Sequence, residues 1–136
     1  MSKPIPPISK YMTTTPRTVA GNITLAAAGR LMLEHGIRHL PVVDDGVLLG
    51  VITERDIRYV ESFAFVQPDS VPIRGAMTEK PYTVAPETPL DEVVSTMAEQ
   101  KYGSAIVVQN GHVVGVFTTV DACRALSELL GTRLRK

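Results

Sequence analysis

Apolar positions recur along this chain in two rhythms, one helical and one of strands. Leu25, Ala28 and Met32 fall on one helical face, with Asn22 or Thr24 placed to cap the helix and Gly36 placed to end it. Leu90, Val93, Val94 and Met97 form a second stripe, with Thr88 as the expected cap, Pro89 at the first helical position and Asp91 at the third. The runs 39–44 and 47–53 are nearly continuous in Val, Leu and Ile, as strands covered on both faces are. Asp45-Gly46 between them favours the positive φ angles of a two-residue hairpin, and Asn110-Gly111 repeats the arrangement. Thr53 and Thr118 can each cap a further helix, running from 54 to about 65 and from 119 to about 130. Pro16 and Pro81, which interrupt helix, stand just before short extended pieces at 17–20 and 82–85.

The order β-α-β-β-α is thus written twice. Sliding the chain by 65 residues aligns 7–56 with 72–121 without a gap, and 18 of the 50 pairs are identical, a match that chance does not give in one register. Gln67-Pro68-Asp69-Ser70 and Pro72 mark a linker. The first copy, with a short N-terminal extension, is assigned to 1–66, and the linker and second copy to 67–136. A three-stranded sheet with two helices leaves one apolar face wet. The expected fold is therefore α/β, two β-α-β-β-α repeats packed sheet to sheet about a pseudo-twofold axis.

Charge and composition narrow the function. Fourteen Lys and Arg balance fourteen Asp and Glu, so no net field draws in a nucleic acid or an anionic membrane. With three Phe, four Tyr and no Trp, stacking platforms for single strands are hard to build. No run approaches the roughly 18 apolar residues of a membrane span, and the proline-rich start lacks the apolar core of a signal peptide. One cysteine, Cys123, forms no intrachain disulfide, so a reducing cytoplasm fits, and the thiol is expected to pack inside. His35 and His39 stand four apart, but Gly36 and Pro41 break any helix that would turn them into a metal pair. No nucleophile with a base beside it, acidic metal cluster or Walker loop is evident, so an enzyme such as a nucleotide hydrolase is not expected.

The repeated motifs carry a resemblance. Met12-Thr13-Thr14-Thr15-Pro16, the strand at 36–43 and Gly50-Val51-Ile52-Thr53-Glu54-Arg55-Asp56 in the first copy are matched in the second by Met77-Thr78-Glu79-Lys80-Pro81 and Gly115-Val116-Phe117-Thr118-Thr119-Val120-Asp121. The middle element departs from pattern there, reading Tyr102-Gly103-Ser104-Ala105-Ile106-Val107-Val108. The arrangement resembles a Bateman module, a pair of the CBS repeats named after cystathionine β-synthase, over about residues 8–130. The resemblance implies a regulatory module that binds AMP, ADP, ATP or S-adenosylmethionine in clefts between its repeats, with no cofactor required and no catalysis. It further implies a homodimer associated through helices, and a separate protein target.

The chemistry of such a ligand selects residues. A ribose presents two vicinal hydroxyls, and an ionised carboxylate takes both protons, a role for Asp56 and Asp121. Thr53 and Thr118 precede them by one turn, where a hydroxyl and free N–H groups hold a phosphate or a ribose oxygen. Arg38 offers a bidentate fork to phosphate, with His39 beside it, whereas the second copy has Gly103 and Ser104 there, so unequal clefts are expected. Ile52, Arg55 and Phe117 adjoin these positions and are counted with the ligand contacts. The family's pseudo-symmetry assigns adenine at the Asp56 site to Thr83, Val84 and Ala85, and at the Asp121 site to Thr18, Val19 and Ala20.

Plainer roles compete. Thr53-x-x-Asp56 and Thr118-x-x-Asp121 also read as capping boxes worth about 1 kcal/mol each. Arg38 also reads as a solvated surface arginine, Met12 and Met77 as core plugs, and 133–136 as a frayed tail. The alternative function is a dimeric protein-interaction module that binds no ligand.

Overall fold

Both hairpins form where Asp45-Gly46 and Asn110-Gly111 place them. The computed structural model describes residues 4–14 and 16–134. Thr15 of the opening motif, residues 1–3, and Arg135 and Lys136 of the expected tail lie outside these. β2 (His39–Asp44) turns into β3 (Val47–Thr53) through Asp45 and Gly46 at φ 49° and 78°; β6 (Ser104–Gln109) turns into β7 (His112–Thr118) through Asn110 and Gly111 at 52° and 80°. Both central residues of each turn are left-handed, which matches the twist of the strands they join. The register slips once in each hairpin, at Val42/Val43 and at Val107/Val108.

The helices follow the stripes, with three departures at their ends. α1 (Leu25–His35) is capped by Thr24, whose Oγ1 accepts from the Ala27 N–H at 3.1 Å, and it ends at Gly36 in the left-handed region. α3 (Leu90–Gln100) is not capped by Thr88 as the sequence suggested: extended Pro89 stands at the cap position without a side-chain bond. The Thr88 hydroxyl is taken up one turn earlier, accepting from the Ala85 N–H at 3.1 Å. α2 (Glu54–Glu61) stops short of 65, because the Ser62 hydroxyl donates to the Tyr59 carbonyl at 2.6 Å and the chain turns away, leaving Phe65 at positive φ and 99% exposed. α4 (Thr119–Arg133) runs longer than expected. It directs Asp121 and Ala125, four apart, inward, so Cys123 between them is exposed and not internal.

The chain divides into two compact units, Arg17–Pro81 and Met1–Pro16 with Tyr82–Lys136, a partition that cuts across the sequence repeats. In the first unit the sheet order is β2-β3-β4, with β4 (Thr78–Glu79) paired antiparallel to β3, and Val19 bridges Val42 in parallel on the other side of β2. In the second, β1 (Thr13–Thr14) edges a sheet ordered β1-β7-β6-β5, in which β5 (Thr83–Val84) lies parallel to β6. The stretch before each Met-Thr motif is therefore built into the unit that holds the other copy's helix and hairpin. Leu25 N donates to the Val71 carbonyl at 2.9 Å and Ile73 N to Ile23 at 2.8 Å; Leu90 N donates to Pro6 at 2.9 Å and Ile8 N to Thr88 at 2.8 Å. The segment expected to be a linker is thus stitched to the start of α1.

Each unit has its own apolar core. Leu25, Ala28, Met32, Leu40, Val42, Ile52, Ile57 and Ile73 close one, with Met77 packed against it. Ile8, Leu90, Val93, Met97, Ala105, Val107, Phe117 and Ala125 close the other, with Met12 against it. The two methionines cross their sheets at glycines. A Cβ on Gly50 would strike the Thr78 carbonyl and one on Gly115 would strike the Met12 thioether, so both positions need a bare backbone.

Candidate functional site

Where β3 ends and α2 begins, the backbone brings four expected residues together. His39 stands opposite Thr53 in the β2–β3 ladder, and the Arg38 carbonyl accepts from the Glu54 N–H at 3.0 Å, so the entry to β2 adjoins the first turn of α2. Thr53 has extended dihedrals and Asp56 sits three residues on. The Thr53 N–H donates to Asp56 Oδ2 at 3.0 Å, and the Asp56 N–H donates to Thr53 Oγ1 at 3.0 Å. This reciprocal pair satisfies donors that a helix start leaves unpaired. Asp56 is half-buried, and its second oxygen, Oδ1, has no hydrogen bond or ion pair among the described residues. Arg38 and Arg55 are exposed, and neither forms an ion pair there, whereas Arg58 reaches Glu54 at 3.3 Å.

The second head repeats the backbone and changes the side chains. Ser104 stands opposite Thr118, and the Thr119 N–H donates to the Gly103 carbonyl at 3.3 Å. The Thr118 N–H donates to Asp121 Oδ2 at 2.9 Å and the Asp121 N–H to Thr118 Oγ1 at 3.5 Å, while the Thr118 hydroxyl also donates to Oδ2 at 3.3 Å. Asp121 Oδ1 lies 3.6 Å from an Arg124 guanidinium nitrogen. The Asp121 side chain is only 8% exposed.

Both capping boxes are therefore formed, and the capping role expected for Thr53, Asp56, Thr118 and Asp121 is real. It leaves a second role open, since one carboxylate oxygen suffices for the cap. Of the other candidates, Ile52 and Phe117 are fully buried in the cores of their units. Val19 is buried, its N–H donating to Pro41 at 3.0 Å and its carbonyl accepting from Val43 at 2.8 Å. Thr18 and Ala20, exposed on either side of it, line with Val19, Ile23, Arg30 and Leu31 a cavity of about 490 Å³ over α1. The sequence reading missed Arg30 and this cavity, because α1 was read only for its buried stripe. Thr83 and Val84 form β5 beside β6, and the Ala85 N–H is held by Thr88. Thr18, Val19 and Ala20 belong to the same unit as Asp56, and Thr83, Val84 and Ala85 to that of Asp121. Among the described residues no group of three or more His, Cys, Asp or Glu is placed to hold a metal ion, and no helix is long and apolar enough to cross a membrane.

The CBS domain model matches the chain twice, over residues 8–62 and 73–128, so the chain belongs to the CBS-domain family. Inosine-5'-monophosphate dehydrogenase of Korarchaeum cryptofilum (strain OPF8) is 34% identical over 117 residues, 85% of this chain but 23% of that protein. The chain thus spans under a quarter of the length of that enzyme. CBS domain-containing protein YhcV of Bacillus subtilis (strain 168) is 30% identical over 114 residues, 84% of this chain and 81% of YhcV. Among solved structures, the CBS domain pair of protein MJ0100 in complex with 5-methylthioadenosine and S-adenosyl-L-methionine aligns with a TM-score of 0.83 at 29% identity, covering 92% of this chain and 98% of that one. The two sheets and four helices are those of a CBS pair.

Proposed function

We propose that this chain is a regulatory module that binds an adenosine-bearing ligand, AMP, ADP, ATP or S-adenosylmethionine, and passes the bound state to a partner protein. The observation that carries the reading is the Asp56 carboxylate. One oxygen caps α2 and the other makes no hydrogen bond or ion pair among the described residues, at a helix head where Arg55 and the start of β2 at Arg38 also stand, both exposed. A free carboxylate oxygen accepts ribose hydroxyls, and a guanidinium supplies the fork that a phosphate takes. The MJ0100 pair, whose structure holds two adenosine compounds, supports the ligand class. Contacts of adenine with Thr18, Val19 and Ala20 and with Thr83, Val84 and Ala85 belong to the proposal, as do His39 and Ser104, a homodimeric state, a cytoplasmic location and the absence of catalysis.

A melting series against AMP, ADP, ATP, S-adenosylmethionine and GTP tests it. A ligand at 100 times its Kd adds about 2.7 kcal/mol, which raises the Tm of a chain this size by several degrees. Stabilisation by an adenosine compound and not by GTP supports the reading; no shift with any of them refutes it. A second reading, a protein-interaction module without a ligand, is favoured by one observation: Leu126 and Leu130 in α4 and Leu134 just after it lie four apart and are 58%, 47% and 71% exposed.

A further inference from the structure

Helix α4 has a second patterned face besides the one it gives to the core. Asp121 and Ala125 turn inward, with Ala122 and Leu129 packed beside them. On the opposite side Val120, Cys123, Ser127 and Leu130, and Leu134 just after the helix, follow at steps of three, four, three and four residues, and all are exposed. Such steps average about 3.5 residues, the spacing that keeps one seam facing a neighbouring helix. Val120, Leu130 and Leu134 are 55%, 47% and 71% exposed, and a Cβ built on Gly131 beside the seam meets nothing within 4 Å. The matching positions of the first copy are Arg55, Arg58, Ser62, Phe65 and Asp69, mostly charged or polar, so the seam is a property of the second copy alone. Tyr59 and Phe63, exposed aromatics at the end of α2, lie instead against each other with ring centroids 5.0 Å apart.

We infer that α4 pairs with α4 of a second copy of this chain, antiparallel about a twofold axis near Ser127. The inference rests on the homodimeric state proposed above, adds its surface and direction, and needs no ligand. Shape and charge select this occupant. Small Cys123 and Ser127 hold the middle of the seam and larger Val120, Leu130 and Leu134 its ends, so a reversed copy brings each Val120 toward the leucine end of the other. Arg124 borders the seam, its side chain 77% exposed and with donors to spare beyond the 3.6 Å contact with Asp121, and Glu128 is exposed one turn on. Antiparallel pairing sets each Arg124 opposite the other copy's Glu128, two ion pairs related by the twofold. Parallel pairing sets Arg124 against Thr119 and Leu126, neither of them charged.

Sedimentation velocity across micromolar concentrations tests this on the wild-type chain, on Leu130→Glu and on Tyr59→Glu, each checked for folding by circular dichroism. The wild type and Tyr59→Glu should dimerise alike, and Leu130→Glu should dimerise at least about tenfold more weakly. Direction is read with a short bis-maleimide on single-cysteine chains in a Cys123→Ser background. Ser127→Cys should cross-link the two copies. Leu134→Cys should not, because antiparallel helices centred near Ser127 hold its two copies roughly 20 Å apart along the axis. A dimer that survives Leu130→Glu unchanged, a dimer lost in Tyr59→Glu, cross-linking through Leu134→Cys or none through Ser127→Cys overturns the inference and leaves the homodimeric state standing. A wild-type chain that stays monomeric overturns both.

Discussion

Replacing Gly50 by alanine tests whether the Met77-Thr78 segment is an integral strand of the first unit. A Cβ at Gly50 falls on the Thr78 carbonyl, 3.1 Å from Met77 Sδ and 3.3 Å from the Thr78 carbonyl carbon. The obstacle is backbone, so relief requires β4 to move, and β4 holds its place by pairing Glu79 with Gly50 and Thr78 with Val51. At Gly115 the nearest atoms to the same Cβ are those of the Met12 side chain, with Cγ at 2.9 Å and Cε at 3.1 Å, and a methionine can change rotamer. Overpacking costs about 1–3 kcal/mol, so Gly50→Ala should sit near 3 and Gly115→Ala near 1. Urea unfolding at 25 °C, followed by circular dichroism, measures both. A Gly50→Ala chain within about 0.5 kcal/mol of wild type, the range of an inert surface change, would refute the crossing geometry. So would a larger loss at Gly115 than at Gly50.

Two further outcomes are expected. Lys101 ends α3 at φ 62°, where the first copy has Gly36 also at 62°; Lys101→Gly should raise stability by roughly 0.5–1 kcal/mol in the same urea assay, since a side chain is disfavoured in that conformation. Thr53→Ala removes the acceptor for the Asp56 N–H at 3.0 Å and should cost about 1 kcal/mol, read as a lower urea midpoint in the absence of any ligand.

Most of the fold was legible because the period of the apolar residues and the turn dipeptides are local signals. Asp45-Gly46 and Asn110-Gly111 set both hairpins, and the stripes at Leu25 and Leu90 set α1 and α3. The exchange of the Met-Thr segments between the two sequence copies was not legible. The pairing of Thr13 and Thr14 with Val116 and Gly115, about a hundred residues away, leaves one glycine as its trace, and that of Thr78 and Glu79 with Val51 and Gly50 leaves another. Thr88 misled for a local reason: a threonine before Pro-Leu fits a cap and a turn equally, and the hydrogen bond to Ala85 selects the turn. Cys123 misled because burial is set by the helical face, and α4 gives its inner face to Asp121 and Ala125.

At the two helix heads the capping boxes were legible in the sequence, and the structure separates the surroundings of their aspartates. Thr-x-x-Asp appears twice, yet Asp56 keeps one oxygen without a hydrogen bond or ion pair among the described residues and Asp121 has its oxygens turned to Thr118 and Arg124. That difference depends on Tyr59 standing where the second copy has Arg124, and on side-chain burial that no local pattern encodes. The place of Arg38 just before β2 was legible from the strand pattern. The cavity over α1 was not, because it forms between the outer face of that helix and the extended residues 18–20.

The most direct measurement is the discrimination between ADP and 2'-deoxy-ADP by the wild-type chain and by Asp56→Ala. A hydrogen bond to an ionised group contributes about 1.5–3 kcal/mol, so loss of one ribose hydroxyl should weaken binding to the wild type by roughly tenfold or more. With Asp56→Ala the two nucleotides should bind alike. Equal affinity of both nucleotides for the wild type, or undiminished discrimination in Asp56→Ala, would contradict the assignment of the Asp56 carboxylate to the sugar.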